Sequence, residues 1–310
     1  MKRILVYGMG GIGGYIGAKL AAVAEREKLE LVFIARGAHL AAIAAKGLRY
    51  RAPDGTESVA RPALATDDPA KAGKADLVFL CVKGYDLDAA CRALLSAVGE
   101  GTVIVPLLNG ADIHERVRAI VKTGTVLPAG IYISSTIAEP GLVTHLGGKG
   151  NLFLGREPGK PGYDGADLRT LLEKAAIPYE WSEDPLPAVW TKYLFIASYG
   201  LVTGMSGQPI GGVIADAELA SLVQGIQAEI AAIAAAQGIK LPADAAAVAF
   251  EKGKAFPAAT KTSFQRDLET PDKPNEGALF GGTILAFGKM LGVKTPITEK
   301  VYGAILPKGR

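Results

Sequence analysis

Cysteine is nearly absent: 310 residues contain two, Cys81 and Cys91. A disulfide framework is thereby excluded as an organising device, and a reducing cytoplasm is the compartment such a chain suits. Histidine is equally scarce. His39, His114 and His145 share no ligand spacing, which disfavours metal catalysis, and His39 reads as a helix-surface residue near a cofactor edge. An excess of one charge is also missing, with 34 Lys and Arg against 31 Asp and Glu. No run of five like charges occurs, so the footprint of a nucleic-acid binder is lacking. The opening MKRILVYG enters a strand and a glycine turn directly, leaving no room for a signal-peptide core, which argues for a soluble, non-secreted chain. Residues 193–215 carry no charge and approach the roughly 20 residues that span a bilayer. Gln208, Pro209 and five glycines interrupt that stretch, so a buried helix and turn is expected rather than a membrane span.

What is abundant is apolar surface, 49% of residues, enough for one large core or two ordinary ones. Short apolar β-rich runs at 3–7, 30–35, 76–82 and 102–107 alternate with helical patterns at about 12–24, 37–46, 87–98 and 111–121. That alternation predicts an α/β domain with a mainly parallel, doubly wound sheet and right-handed crossovers. Residues 125–148 read instead as a hairpin turning at Glu139-Pro140-Gly141. The tract 156–165 reads as a surface loop followed by an αβ unit (167–181). Past Trp181–Pro187 the strand pattern disappears and helical periodicity takes over at 187–204, 215–237 with Asp216 as N-cap, 243–252 and 276–291. Two domains are expected: residues 1–182, of Rossmann type, and residues 183–310, all-helical, with an active site between them. The Ala-rich helix 215–237 could serve the core or an interface, so a homodimer stays open.

The strand KRILVYG runs into Gly8-Met9-Gly10-Gly11-Ile12-Gly13 and then into a helix, the context in which GxGxxG signals dinucleotide binding. Gly8 would permit the tight turn, Gly10 the approach of the pyrophosphate, and Gly13 the close packing of helix on strand. The helix N-terminus would supply N–H donors. The second strand ends in Ala35-Arg36, where an NAD site commonly places Asp or Glu. An arginine there can fork onto a 2′-phosphate, so NADPH is the expected cofactor.

With these features in hand, the chain resembles the ketopantoate reductases (2-dehydropantoate 2-reductases). The resemblance rests on GMGGIG, Arg36, VKGYD (82–86), LNG (108–110), WTKYL (190–194), TSFQRD (262–267) and the isolated Glu276, in that order and at that spacing. It implies that Lys192 is the catalytic lysine and Glu276 its acidic partner. It implies further that Ser263 lies near the substrate carboxylate, that Asn109 touches nicotinamide and substrate, and that Lys83 lies by the cofactor. The chemistry fits those roles: hydride delivered to C2 of a 2-oxo acid leaves negative charge on oxygen, which a nearby ammonium stabilises and protonates. Burial should lower the pKa of Lys192 and Glu276 should raise it. Bland alternatives stand beside each role: Glu276 favouring a helix dipole, Ser263 as an N-cap, Asn109-Gly110 as a turn, Lys83 as a surface lysine.

The sequence departs from the family at several positions. Asparagines four and eight residues after the lysine are replaced by Ile196 and Gly200, which on one helix face should line the substrate pocket and make it more apolar and roomier. An acidic residue two positions after the glutamate is Ala278, and an Asn-Gly farther on is Gly281-Gly282. The expected function is NADPH-dependent reduction of a small 2-oxo acid, with ketopantoate first and pantothenate synthesis as the implied pathway. The alternatives are another oxo acid or a more apolar ketone, and a non-catalytic NADPH-sensing protein.

Overall fold

The computed structural model describes residues 1–160, 162–270 and 274–306. By contacts the chain divides into two compact units. The first comprises Met1–Leu108 and Ile113–Pro185. The second begins at Leu186 and also claims Asn109–Asp112, a loop that the sequence pattern assigns to the first domain.

In the first unit the order is β1 (Arg3–Tyr7), α1 (Gly11–Ala21), a short α2 (Ala24–Glu27), β2 (Glu30–Ile34), α3 (Gly37–Lys46), β3 (Leu48–Arg51), β4 (Glu57–Ala60), β5 (Leu64–Thr66), β6 (Leu77–Leu80) and α4 (Leu87–Leu94). It continues through β7 (Val103–Pro106), α5 (Ile113–Ile120), β8 (Thr125–Val126), β9 (Ala129–Glu139), β10 (Leu142–Gly155), α6 (Ala166–Lys174) and β11 (Tyr179–Ser182). Six strands form a parallel sheet in the order β5-β2-β1-β6-β7-β8. Leu77, Val78, Phe79 and Leu80 are all fully buried, as expected of a parallel strand with covered faces. Strand order reverses between β1 and β6, and open α/β sheets bind ligands outside the carboxyl ends of strands at such a point.

A second sheet is absent from the sequence expectation. The hairpin β9–β10, turning at Glu139–Gly141, is its spine. Along its outer edge β10 takes β3 in parallel at 142–144 and β11 in parallel at 152–155, and β4 closes the edge antiparallel to β3. Helix α1 packs against this sheet: a Cβ on Gly11 would fall 2.2 Å from the Ser135 carbonyl oxygen on β9, and one on Gly14 would meet Val143 on β10.

The second unit is helical: α7 (Leu186–Ser206), α8 (Ile210–Ala215), α9 (Ala217–Ala236), α10 (Ala245–Gly253), α11 (Ser263–Leu268), a π turn (Ala278–Gly282), α12 (Thr283–Leu291) and α13 (Pro296–Ile305). The uncharged stretch 193–215 is cut at Gly207–Pro209 into α7 and α8. Among the described residues one helix, α9, is long and apolar enough to cross a membrane. Its Val223, Ile226, Ile230 and Ile233 lie in the core of this unit, which is the role expected of a core helix. Asp216 caps α9 by accepting from the N–H groups of Glu218 and Leu219, and the buried Glu229 accepts from Ile297 N, Thr298 N and Thr298 Oγ1 at the start of α13. The helix expected over 276–291 is a π turn followed by α12, and Gly281 fits there because a Cβ would lie 2.3 Å from Tyr302 Cγ.

Candidate active site

The glycine turn follows β1 at the point of strand reversal. Gly8 has φ +94°, and a Cβ would press on the Cys81 carbonyl after β6 at 2.8 Å. A Cβ on Gly13 would lie 2.0 Å from the Gly8 oxygen, so this glycine closes the helix onto the turn. Gly10 is different: nothing lies within 4 Å of the Cβ position. It is the N-cap of α1 and offers no side-chain cap, leaving the N–H groups of Gly11, Ile12 and Gly13 in the helix's first turn. Beside them the Ser135 hydroxyl oxygen is buried and has no hydrogen-bond partner within the chain. An open space, uncapped N–H donors and a nearby hydroxyl fit the pyrophosphate of a dinucleotide. Met9 contributes differently from its neighbours. Its side chain is buried in the core, and its carbonyl is bound by His39 Nε2 at 2.8 Å.

His39 is a strut, not the surface residue expected. Gly141 N donates to its Nδ1 at 3.0 Å, so Nε2 carries the proton given to Met9, and the neutral ring ties the glycine turn to the β9–β10 turn. Burial lowers its pKa, only partly offset by the bond to Met9. Arg36, the N-cap residue of α3, projects into solvent and pairs with Asp86 Oδ2 at 2.6 Å. Lys83 occupies the N-cap position of the short 3-10 turn Gly84–Asp86 after β6, a strand on the other side of β1 from β2, which leads to Arg36.

In the helical unit Lys192 is buried on α7, and its Nζ donates to Asn109 Oδ1 at 2.9 Å. An ammonium only donates, so the Asn109 oxygen must face it and the Nδ2 group is turned away, available to another acceptor. Burial pushes the Lys192 pKa down, the positive charge of Lys252 pushes it farther, and Glu276 pulls it partly back, leaving it at about 8. Glu276 is itself buried. Its carbonyl accepts from Leu279 N and Phe280 N at the π turn, and Tyr193, the neighbour of Lys192, donates its hydroxyl to the Leu279 and Phe280 carbonyls at 3.0 and 2.8 Å. That bifurcated hydrogen bond from Tyr193 fixes the segment bearing Glu276 to the helix bearing Lys192. Wide i→i+5 turns of this kind recur at functional sites.

Ser263 opens α11, partly exposed, but it is not the cap. Thr262 Oγ1 accepts from Gln265 N at 3.1 Å and meets Thr203 Oγ1 of α7 at 2.8 Å. Ile196 is half-buried. Gly200 does not open free space: a Cβ there would rest 3.6–3.7 Å from Phe280 and Phe264, so aromatic rings wall the position. The sequence pattern passes over Lys252, on the last turn of α10, whose ammonium lies 5.6 Å from the Phe195 ring centroid one turn along α7 from Lys192. Only a helix-end charge run marks it in sequence.

Within the second unit, then, a buried lysine is held by an amide and feels the charge of a buried carboxylate. The first unit carries a glycine turn of the dinucleotide-binding kind. Two family models match, "Ketopantoate reductase PanE/ApbA" over residues 4–159 and "Ketopantoate reductase PanE/ApbA C terminal" over residues 184–308. The chain belongs to the ketopantoate reductase family. A 2-dehydropantoate 2-reductase of Mesorhizobium japonicum is 28% identical, the match covering 98% of this chain and 96% of that one. The crystal structure of 2-dehydropantoate 2-reductase from Porphyromonas gingivalis W83 superposes with a TM-score of 0.84 at 30% identity, covering 98% of this chain and 99% of that one. A PanE/ApbA family ketopantoate reductase from Ralstonia eutropha JMP134 gives a TM-score of 0.88 at 26% identity, covering 99% and 98%. Family membership makes the chain an NAD(P)-dependent oxidoreductase acting on a CH–OH group.

Proposed function

We propose that this chain reduces a 2-oxo acid to the 2-hydroxy acid with NADPH, with ketopantoate as first substrate and a cytoplasmic role in pantothenate synthesis. The observation that carries the reading is the buried Lys192, bonded to Asn109 and electrostatically coupled to Glu276. The free thiols Cys81 and Cys91 accord with a reducing compartment. NADPH when bound supplies the hydride. The Gly8–Gly13 turn would hold its pyrophosphate, Arg36 its 2′-phosphate, and Lys83 would lie along it.

Lys192 donates hydrogen bonds to the carbonyl oxygen, stabilises the charge that develops there and gives up its proton to form the hydroxyl. Glu276 favours the charged form of Lys192 against the cost of burial. Asn109 holds the ammonium in place and presents its Nδ2 as a second donor. Ser263 and Ile196 are assigned to the substrate, Ser263 toward its carboxylate. Ile196, in place of an amide, favours a second reading, an oxo acid with an apolar branched chain.

A panel of 2-oxo acids assayed with purified protein and NADPH tests the reading. Stoichiometric NADPH oxidation is expected. Lys192→Ala should lower kcat by about 100-fold or more while NADPH binding persists. Near-normal turnover of that variant at saturating substrate would remove Lys192 as proton donor, and no oxidation with any oxo acid would return the chain to a binding role.

A further inference from the structure

We propose that Asp86 is a second cofactor-selectivity residue, one that opposes Arg36 by weakening the preference for a 2′-phosphate and accepting the ribose 2′-hydroxyl when the phosphate is absent. The proposal rests on the reading of the Gly8–Gly13 turn as a dinucleotide site. Dinucleotide sites that select NAD commonly carry a carboxylate at the end of the second strand. Here β2 ends without one. The carboxylate arrives from another quarter: Asp86 closes the 3-10 turn after β6 and meets Arg36 Nη2 at 2.6 Å.

The topology gives this pair its meaning. In the sheet β1 lies between β2 and β6, so Arg36 and Asp86 approach from the two strands that flank it and join past its carboxyl end, where the glycine turn begins. Tyr7, the last residue of β1, has its pKa raised chiefly by burial, and it feels both charges of the pair as well, Arg36 lowering and Asp86 raising it. The side chains are 75% and 29% exposed, so the ion pair is weak enough for a ligand to compete with it. A guanidinium has five donors, and one edge can remain on Asp86 while another meets a phosphate. Asp86 then stands beside a ligand dianion, and that repulsion offsets part of what Arg36 contributes. With a 2′-hydroxyl in the same place the sign reverses, since a carboxylate accepts from it.

Fragments of the cofactor separate these effects without turnover. Binding of adenosine 2′,5′-bisphosphate and of adenosine 5′-monophosphate to the full chain is measured by titration calorimetry for wild type, Asp86→Asn, Arg36→Gln and the double variant. Asp86→Asn should raise the preference for the bisphosphate by about tenfold. Arg36→Gln should still bind the monophosphate, and the double variant should bind it more weakly. A bisphosphate preference that is unchanged or lower in Asp86→Asn would overturn the proposal, reducing Asp86 to a prop for Arg36. Wild-type protein that binds neither fragment would instead remove the dinucleotide reading, and the proposal with it.

Discussion

Lys192 can act as a proton donor only in its charged form, and its surroundings decide where on the pH scale that form is lost. Its pKa lies at about 8 because burial and the charge of Lys252 outweigh Glu276. A lysine below its ordinary value of 10.5 loses its proton sooner as pH rises. The expected outcome is that kcat/KM for reduction is level on the acid side and falls as pH passes about 8. Replacing Lys252 by Gln removes a neighbouring positive charge, so the falling limb should move to higher pH. Glu276→Gln removes the compensating negative charge and should move it to lower pH. A limb that stays in place in both variants would mean that another group titrates. His39 adds a separate dependence. Its folded pKa is depressed by burial, so the unfolded chain binds the extra proton first as pH falls. Its contribution to stability is therefore full above the ordinary histidine pKa of 6.5 and declines as pH drops toward the folded value. His39→Gln should flatten the pH dependence of urea stability in that window, and an unchanged slope would count against the strut.

Helix α7 bears Lys192, and its two departures from the family pattern act differently. Gly200 sits among Phe264 and Phe280 at ordinary contact distance for a Cβ, so Gly200→Ala should be tolerated or stabilise the helix by up to about 1 kcal/mol. Gly200→Asn forces an amide against those rings and should cost about 1–3 kcal/mol in urea unfolding. Ile196 is half-buried, so Ile196→Asn should fold nearly normally and raise kcat/KM for ketopantoate relative to 2-oxoisovalerate, by roughly 5- to 100-fold if the amide meets the substrate hydroxyl. An unaltered ratio would return Ile196 to packing. Elements such as α7 were legible because their signal is local: β6 reads as a strand because both faces are buried, the β9–β10 turn is written in Glu139-Pro140-Gly141, and Asp216 announces α9. β3 and β4 were not, since LRYR and ESVA are short and half polar and become strands only because β10 offers an edge. The choice of Thr262 over Ser263 as cap is invisible for a related reason, as adjacent hydroxyls look alike until Thr203 lies beside one of them. In the candidate site, Lys192 and Glu276 were picked out through the family resemblance and not by any local pattern of their own. The pairing of Arg36 with Asp86 and the approach of Lys252 join residues distant in sequence, and no local pattern encodes them.

At the scale of the whole molecule, two clusters of buried apolar residues share no member, one built on the six-stranded and hairpin sheets, the other on α7 and α9. Units that each bury a core of their own can unfold separately. The chain offers a reporter for each, because it has two tryptophans and they are divided between the units. Trp181 on β11 packs over Gly165 under the Arg169 guanidinium, and Trp190 on α7 is buried against Tyr193 and Phe287. Trp190→Phe therefore leaves fluorescence from the first unit alone, and Trp181→Phe from the second. The Gly8–Gly13 turn and Arg36 both belong to the first unit, so adenosine 2′,5′-bisphosphate should stabilise what Trp181 reports. At a free concentration one hundred times its Kd that stabilisation is about 2.7 kcal/mol, provided the unfolded chain does not bind it. The expected outcome in urea is a Trp181 midpoint that rises by the corresponding amount divided by m, with the Trp190 midpoint unmoved. Midpoints that coincide without ligand and rise together with it would mean that the two cores unfold as one cooperative body, and the ligand's effect could then not be assigned to the first unit alone.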